Sequence, residues 1–335
     1  MQRGLAAAAV GFLVCALAGL VLVAADVVWM PGYSFNGMNP IPSLWEKQIE
    51  AGLRHHIGKL AGSIGERNMG TPGTLERAAQ YIEGAFKSQG YKVRSQWFLV
   101  DGKRVRNLEA ELPGSSQANE IVVVGAHYDS VPHCPGANDN ASGVAGMLEL
   151  SRLLLQQKLA RTVRFVAFVN EEDPYFGTEQ MGSERYAQEL SVRGEDVKAM
   201  MAVETIGYHS NRNGSQKLPP LCDLIYPSTG NFVWFVGNQQ SKDLVRRSIA
   251  TFRRSTPFPS EGLAAPEWIE GVDWSDQLYF WKNGYPGMMV TDSAPYRYPF
   301  YHTPEDTPDK IDYRCCARII SGLDKVVCEL ANNRG

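Results

Sequence analysis

The chain has 335 residues, 33 Lys+Arg against 36 Asp+Glu, and a formal charge of −3. Hydrophobic residues make up 44% and charged residues 21%, a balance that excludes wholesale disorder. The absence of a basic excess argues against nucleic acid as a partner, and Gly and Pro follow no fixed period, which excludes a collagen-like chain.

Residues 1–30 read as a membrane-spanning helix or a signal peptide. The run from Leu5 to Ala25 is uncharged and has the length of a bilayer-crossing helix. Val23-Ala24-Ala25 would also serve as a small-residue cleavage site. Arg3 precedes the run and no Lys or Arg follows until Lys47, so the positive-inside bias places the rest across the membrane. The expected location is therefore exported: anchored and facing the periplasmic or extracellular side, or released there after cleavage. Residues 31–43, rich in Pro, Gly and Asn, read as a linker, and residues 44–335 as one domain.

Within that domain the periodicity predicts helices over 44–60 and 74–89, then strands over 91–100 and 105–112 joined by an Asp101-Gly102 hairpin turn. Strands at 121–126, 163–169, 200–203, 232–236 and 288–290 then alternate with helices at 141–156, 181–190, 241–252 and 313–330. Apolar strands alternating with helices imply a mostly parallel or mixed sheet covered by helices on both faces, a three-layer α/β architecture. Residues 211–230 read as a polar insertion. The five cysteines after Cys15 include no C-x-x-C pair, so a cysteine zinc site is not indicated.

In open α/β sheets, ligands bind beyond the carboxyl ends of the strands. His127 and Asp129 follow the first buried strand, Glu171-Glu172 the second, Glu204 the third, and Tyr301-His302 lie past the last. Asp129, two positions beyond His127, is on the same side of an extended chain and suited to fix the imidazole tautomer. Asp139 either caps the helix that starts at Ala141 or offers two oxygens to two cations. Adjacent Glu171 and Glu172 are either a solvated loop or a pair that divides metal binding from proton transfer. Two imidazoles with carboxylates and no sulfur suit zinc in an open catalytic site, either one ion or two sharing a carboxylate. The chemistry implied is metal-assisted hydrolysis of an acyl bond, most simply a peptide.

The stretches GAHYDSVPHCPGANDNASGVAGMLELSRLL, RFVAFVNEEDPYFGTEQMGSERYA, MAVETIGY and SDQLYFWKNGYPGMMVTD followed by YHTPEDTPDKIDY resemble the M28 family of zinc peptidases. The resemblance covers roughly residues 120–330, in the family's order and spacing. It implies a zinc exopeptidase, most simply an aminopeptidase acting on peptides, with two Zn2+ per chain. On that resemblance His127 and Glu204 would hold one ion, Glu172 and His302 the other, and Asp139 would bridge them. Glu171 would be the general base, Asp129 the orienting partner of His127, and Tyr301 the donor to the oxyanion. A cis peptide between Asp139 and Asn140 is also expected. Two departures stand out. Glu204 occupies a ligand position where Asp is frequent, and Ser275-Asp276-Gln277 replaces a Ser-Asp-His pattern. Asp276 is carried as a substrate contact or a support for the ligands. Two other readings belong to this resemblance: a glutaminyl-cyclase-like acyltransferase working with one zinc, and a non-catalytic, membrane-anchored binding ectodomain.

Overall fold

The computed structural model of the chain describes residues 25–218 and 222–332. Apart from Ala25, the uncharged run expected as an anchor or signal lies outside these residues. No helix among the described residues is long and apolar enough to cross a membrane.

Helix α1, Leu44–Ile57, starts where the linker was expected to end. The Ser43 hydroxyl accepts from the Glu46 amide and the Glu46 carboxylate accepts from the Ser43 amide, a reciprocal cap that satisfies two otherwise unpaired donors. The helix widens into a π-helical stretch at Gly58–Ile64, which the helical spacing alone does not signal. Helix α2, Thr74–Ser88, leads to strands β1, Val93–Val100, and β2, Lys103–Leu112. Val100 pairs with Lys103, leaving a two-residue loop in which Asp101 and Gly102 have φ of 49° and 74°. Positive φ at both positions gives the turn whose twist matches that of the flanking strands.

The remaining strands are β3, Gln117–His127; β4, Arg161–Phe168; β5, Asp196–Val203; β6, Val233–Gly237; β7, Ser260–Ala264; and β8, Gly287–Thr291. All eight form one sheet in the order β1-β2-β4-β3-β5-β8-β6-β7. The central run β4-β3-β5-β8 is parallel, whereas β1 and β2 are antiparallel to their neighbours and β6 runs opposite to β8. The sheet is therefore mixed rather than mostly parallel. A two-residue turn forces β1 and β2 to oppose each other. The direction of β6 depends on the long path from β5 through residues 204–232, which leaves no local signature.

Side chains alternate across the sheet. Val122, Val124 and Ala126 join the core built with α1, α2, α3 (Ala141–Leu154), α5 (Lys242–Ser255) and α8 (Tyr313–Asn332). Ile121 and Val123 pack on the opposite face against α4 (Gly182–Val192) and the short α6 (Gln277–Lys282). Burial on both faces explains why β3 is apolar throughout, each buried Val or Ile contributing roughly 1.5–3 kcal/mol. Helix α3 lies inside this sandwich with 13 of its 14 residues buried. Strand β7, helix α6 and the single turn α7, Ala294–Arg297, were not expected from sequence. β7 reads Ser-Glu-Gly-Leu-Ala, with no β-branched residue, and α6 spans only six residues.

Candidate metal centre

Four parallel strands ending at one edge bring the candidate side chains together. His127 is the last residue of β3 and is fully buried. Its Nε2 lies 3.2 Å from Asp139 Oδ1 and 3.2 Å from Glu204 Oε2. His302 Nε2 lies 3.1 Å from Asp139 Oδ2 and 3.2 Å from Glu172 Oε2. Two clusters of ligand atoms result, His127–Asp139–Glu204 and Asp139–Glu172–His302, each with its atoms within 4.8 Å of one another. Asp139 is common to both, and its two oxygens face the two imidazoles separately.

The local backbone fits this convergence. Asn140 caps α3 by accepting from the Gly143 amide at 2.9 Å, so Asp139 stands just before the helix. The Asp139–Asn140 peptide is cis. Gly143 cannot carry a side chain there, because a Cβ would sit 2.1 Å from Val203 O, the carbonyl just before Glu204. Asn170, Thr205 and His302 have φ of 58°, 48° and 57°. Left-handed backbone at non-glycine residues costs on the order of 1–3 kcal/mol each and here occurs beside Glu171, beside Glu204 and at a ligand candidate itself.

Supporting residues hold each side chain. Asp129 comes within 3.5 Å of His127 Nδ1, and its two oxygens accept the backbone amides of Glu171 and Glu172, each at 3.1 Å. It therefore fastens the end of β3 to the loop carrying the glutamate pair. Asp306 accepts the amides of Asn138 and Asp139 at 2.8 and 3.1 Å. Ser275 donates to Glu204 Oε2 at 2.7 Å. The fully buried Arg67 guanidinium donates to the carbonyls of Tyr128, Pro135 and Gly136 and so clamps the chain between His127 and Asp139. Sequence reasoning placed no role on Arg67 or Asp306; a buried Arg leaves no local signal, and Asp306 looked like an ordinary turn residue. Asp276 is 1% exposed, and neither of its oxygens has a hydrogen-bond partner. It lies behind the ligands, not among the residues that line the cleft.

The buried groups of the cluster shift one another's protonation. Burial would lower the His127 pKa, but Glu204, Glu171, Asp129 and Asp139 outweigh it and raise it well above the usual value. Burial likewise opposes protonation of His302, yet Asp139 and Glu172 lift it to about 10. Burial pushes Glu171 well up, with Glu204, Glu172 and Asp276 adding to the effect, and pushes Glu172 to about 8. Glu204 and Asp276 are also raised by burial, the latter to about 7. Asp139 moves the other way: burial would raise it, but the His127 and His302 imidazoles beside it hold it below the usual range. Tyr301 stacks on His302 with ring centroids 3.8 Å apart, and burial with the nearby carboxylates keeps its hydroxyl protonated. Asp139 Oδ1 and Glu172 Oε1 are buried without a hydrogen-bond partner. A carboxylate-rich pocket with unpaired lone pairs and imidazole nitrogens, and without sulfur, is a donor set that fits divalent zinc.

The family profile of peptidase family M28 matches residues 107–327. The chain belongs to that family. It is a hydrolase, a metallopeptidase. The M28 chain is 36% identical to the uncharacterized protein YfbL of Escherichia coli (strain K12) over 295 residues, covering 85% of this chain and 90% of that one. It is 26% identical to the aminopeptidase YwaD of Bacillus subtilis (strain 168) over 242 residues, covering 70% of this chain and 45% of that protein. Its fold resembles BSAP, a zinc aminopeptidase from Bacillus subtilis, with TM-score 0.68 and 16% identity, covering 88% of this chain and 97% of that one.

Proposed function

We propose that this peptidase is a two-zinc aminopeptidase that removes large apolar residues from the free amino end of peptides. The observation that carries the proposal is the sharing of Asp139 between two ligand clusters. His127 and Glu204 would hold one ion, Glu172 and His302 the other. Bound there, the metal pair would lower the pKa of a shared water and polarise the scissile carbonyl. Glu171 is within 3.8 Å of His127 Nε2 and is kept out of the ligand clusters. Its place beside the clusters but outside them suits it to take the proton of the attacking water and deliver it to the leaving amine. The Tyr301 hydroxyl donates to the oxygen that gains charge in the tetrahedral intermediate.

One feature favours amino-end cleavage and a second favours a large apolar residue there. The cleft wall carries Asp139, Glu171, Glu172, Asp173 and Glu204 but neither Lys nor Arg. With Asp139, Glu172 and Glu204 offset by the two ions they would hold, Glu171 and Asp173 are the carboxylates left to attract a free ammonium, and no cationic side chain is there to hold a terminal carboxylate. An apolar chamber of about 110 Å³ adjoins this cleft and shares Glu204, Trp274 and Tyr301 with it. Tyr226, Trp234, Val236 and Met289 line it, which suits a large apolar first side chain. Part of its wall comes from the 211–230 insertion, through Gln216, Leu218, Cys222 and Tyr226.

The test is to measure zinc per chain and to assay free and N-acetylated leucyl and phenylalanyl peptides, alongside glutaminyl peptides. Two ions per chain and cleavage only of the free forms are expected. One ion with conversion of glutaminyl peptides to pyroglutamyl products would instead establish the cyclase reading.

A further inference from the structure

Residues 27–45 contain no Lys, Arg, Asp or Glu, in a chain that is 21% charged overall. With the uncharged run before it, Asp26 is the sole charged residue from Gly4 to Trp45. Even Asp26 is neutralised, pairing with Lys242 at 2.7 Å and Arg246 at 2.9 Å.

The segment after Asp26 is a strap fixed to the body through its backbone. Val27 and Val28 pack against the apolar cluster around Trp234, and Met30 is buried. Arg253 Nη1 donates to the carbonyls of Pro31 and Gly32 at 3.1 and 3.0 Å. Ser34 Oγ accepts from the Ser260 amide at 2.9 Å, and Arg318 Nη2 donates to Pro40 O at 2.8 Å. The strap thus crosses α5 and reaches α8 before entering α1, three helices that cover one face of the sheet.

The side chains it turns outward are large and apolar. Tyr33 and Met38 are 95% exposed, Ile41 88%, Leu44 79%, Trp29 58% and Trp45 43%. Six large apolar side chains exposed within residues 29–45, with no charged residue among them, set this segment apart from the singly scattered apolar residues normal on a surface. Trp and Tyr are the residues enriched where a protein meets the bilayer interface, because each joins an apolar body to a polar tip.

We infer that residues 29–45 form a second membrane contact, lying in the interfacial layer of a lipid bilayer and holding the peptidase body against it. The occupant is lipid because the strap directly continues the uncharged Leu5–Ala25 run. The inference rests on that run entering the bilayer. It does not depend on the catalytic reading.

The experiment uses the full chain in vesicles of phosphatidylcholine and phosphatidylglycerol with ordinary or brominated acyl chains. The fluorescence of Trp45 is isolated as the difference between the parent and W45F. The chain is expected to float with the vesicles, and brominated lipid should quench the Trp45 signal by roughly half or more. Combined replacement Y33S, M38S, I41S and L44S should abolish most of that quenching while hydrolysis of a soluble aminoacyl substrate stays unchanged. Flotation without quenching would overturn the strap contact and leave the anchor standing. Protection of Trp45 without bromine quenching, with cross-links between chains, would replace the bilayer by a second copy. Failure to float would overturn both the anchor and the strap.

Discussion

Glu171 and Glu172 are adjacent, yet their surroundings give them different tasks. Glu172 reaches His302 at 3.2 Å and belongs to a ligand cluster, while Glu171 stays outside both clusters. Asp129 separates the tasks by holding both backbone amides, which fixes the turn from which the two carboxylates diverge. Replacing Glu171 by Ala should leave zinc content unchanged and lower kcat by roughly 10²–10⁴-fold, the usual contribution of general acid–base catalysis. Full activity in that variant would remove Glu171 from proton transfer. His302→Ala should lose one ion per chain, since His302 and Glu172 serve only one cluster; metal analysis of the purified variant decides this. An unchanged count would break the assignment.

The elements around the centre act as a frame, and one of its joints holds a buried imidazole. His56 of α1 is buried where α1 meets α2 and α3, with Nδ1 2.7 Å from the Tyr81 hydroxyl. Burial, reinforced by the charges of His55 and Arg152, lowers its pKa to about 4. Unfolding exposes the imidazole and restores a value near 6.5, so below that pH the unfolded chain binds the extra proton. The stabilisation is complete above pH 6.5 and is lost as pH falls toward 4. Urea melts of the chelated protein should show about 2 kcal/mol of lost stability from this group between pH 7 and pH 5. His56→Gln should flatten that slope, and an identical slope in the variant would assign the pH dependence elsewhere.

At the scale of the whole molecule, the centre joins the neighbouring strands β4, β3 and β5 to two segments the sheet does not tie in, the start of α3 and the loop at 301–306. β3, the start of α3, the loop after β4, the end of β5 and the loop at 301–306 all meet there. Ions bound to the folded state only would stabilise it by about 2.7 kcal/mol each when present at a hundred times their dissociation constant. Chelation should therefore lower the thermal midpoint, and added zinc should restore it. A midpoint unaffected by chelator, in protein that loses activity, would show that the frame holds the site without metal.

The strand–helix alternation, the Asp101-Gly102 turn and the chemistry-bearing residues at strand ends were legible in the sequence, because periodicity and turn preference are properties of neighbouring residues. The M28 motifs added the candidate ligands. Only the tertiary structure decided which carboxylate faces which imidazole, that Asp129 grips two amides, that Asp276 is enclosed behind the ligands, and that β6 reverses direction. Those facts depend on contacts between residues tens to hundreds of positions apart, set by how long connections cross the sheet. The outward face of the strap belongs to both levels: its lack of charge is written in the chain, but its exposure follows from where Arg253 and Arg318 pin the backbone.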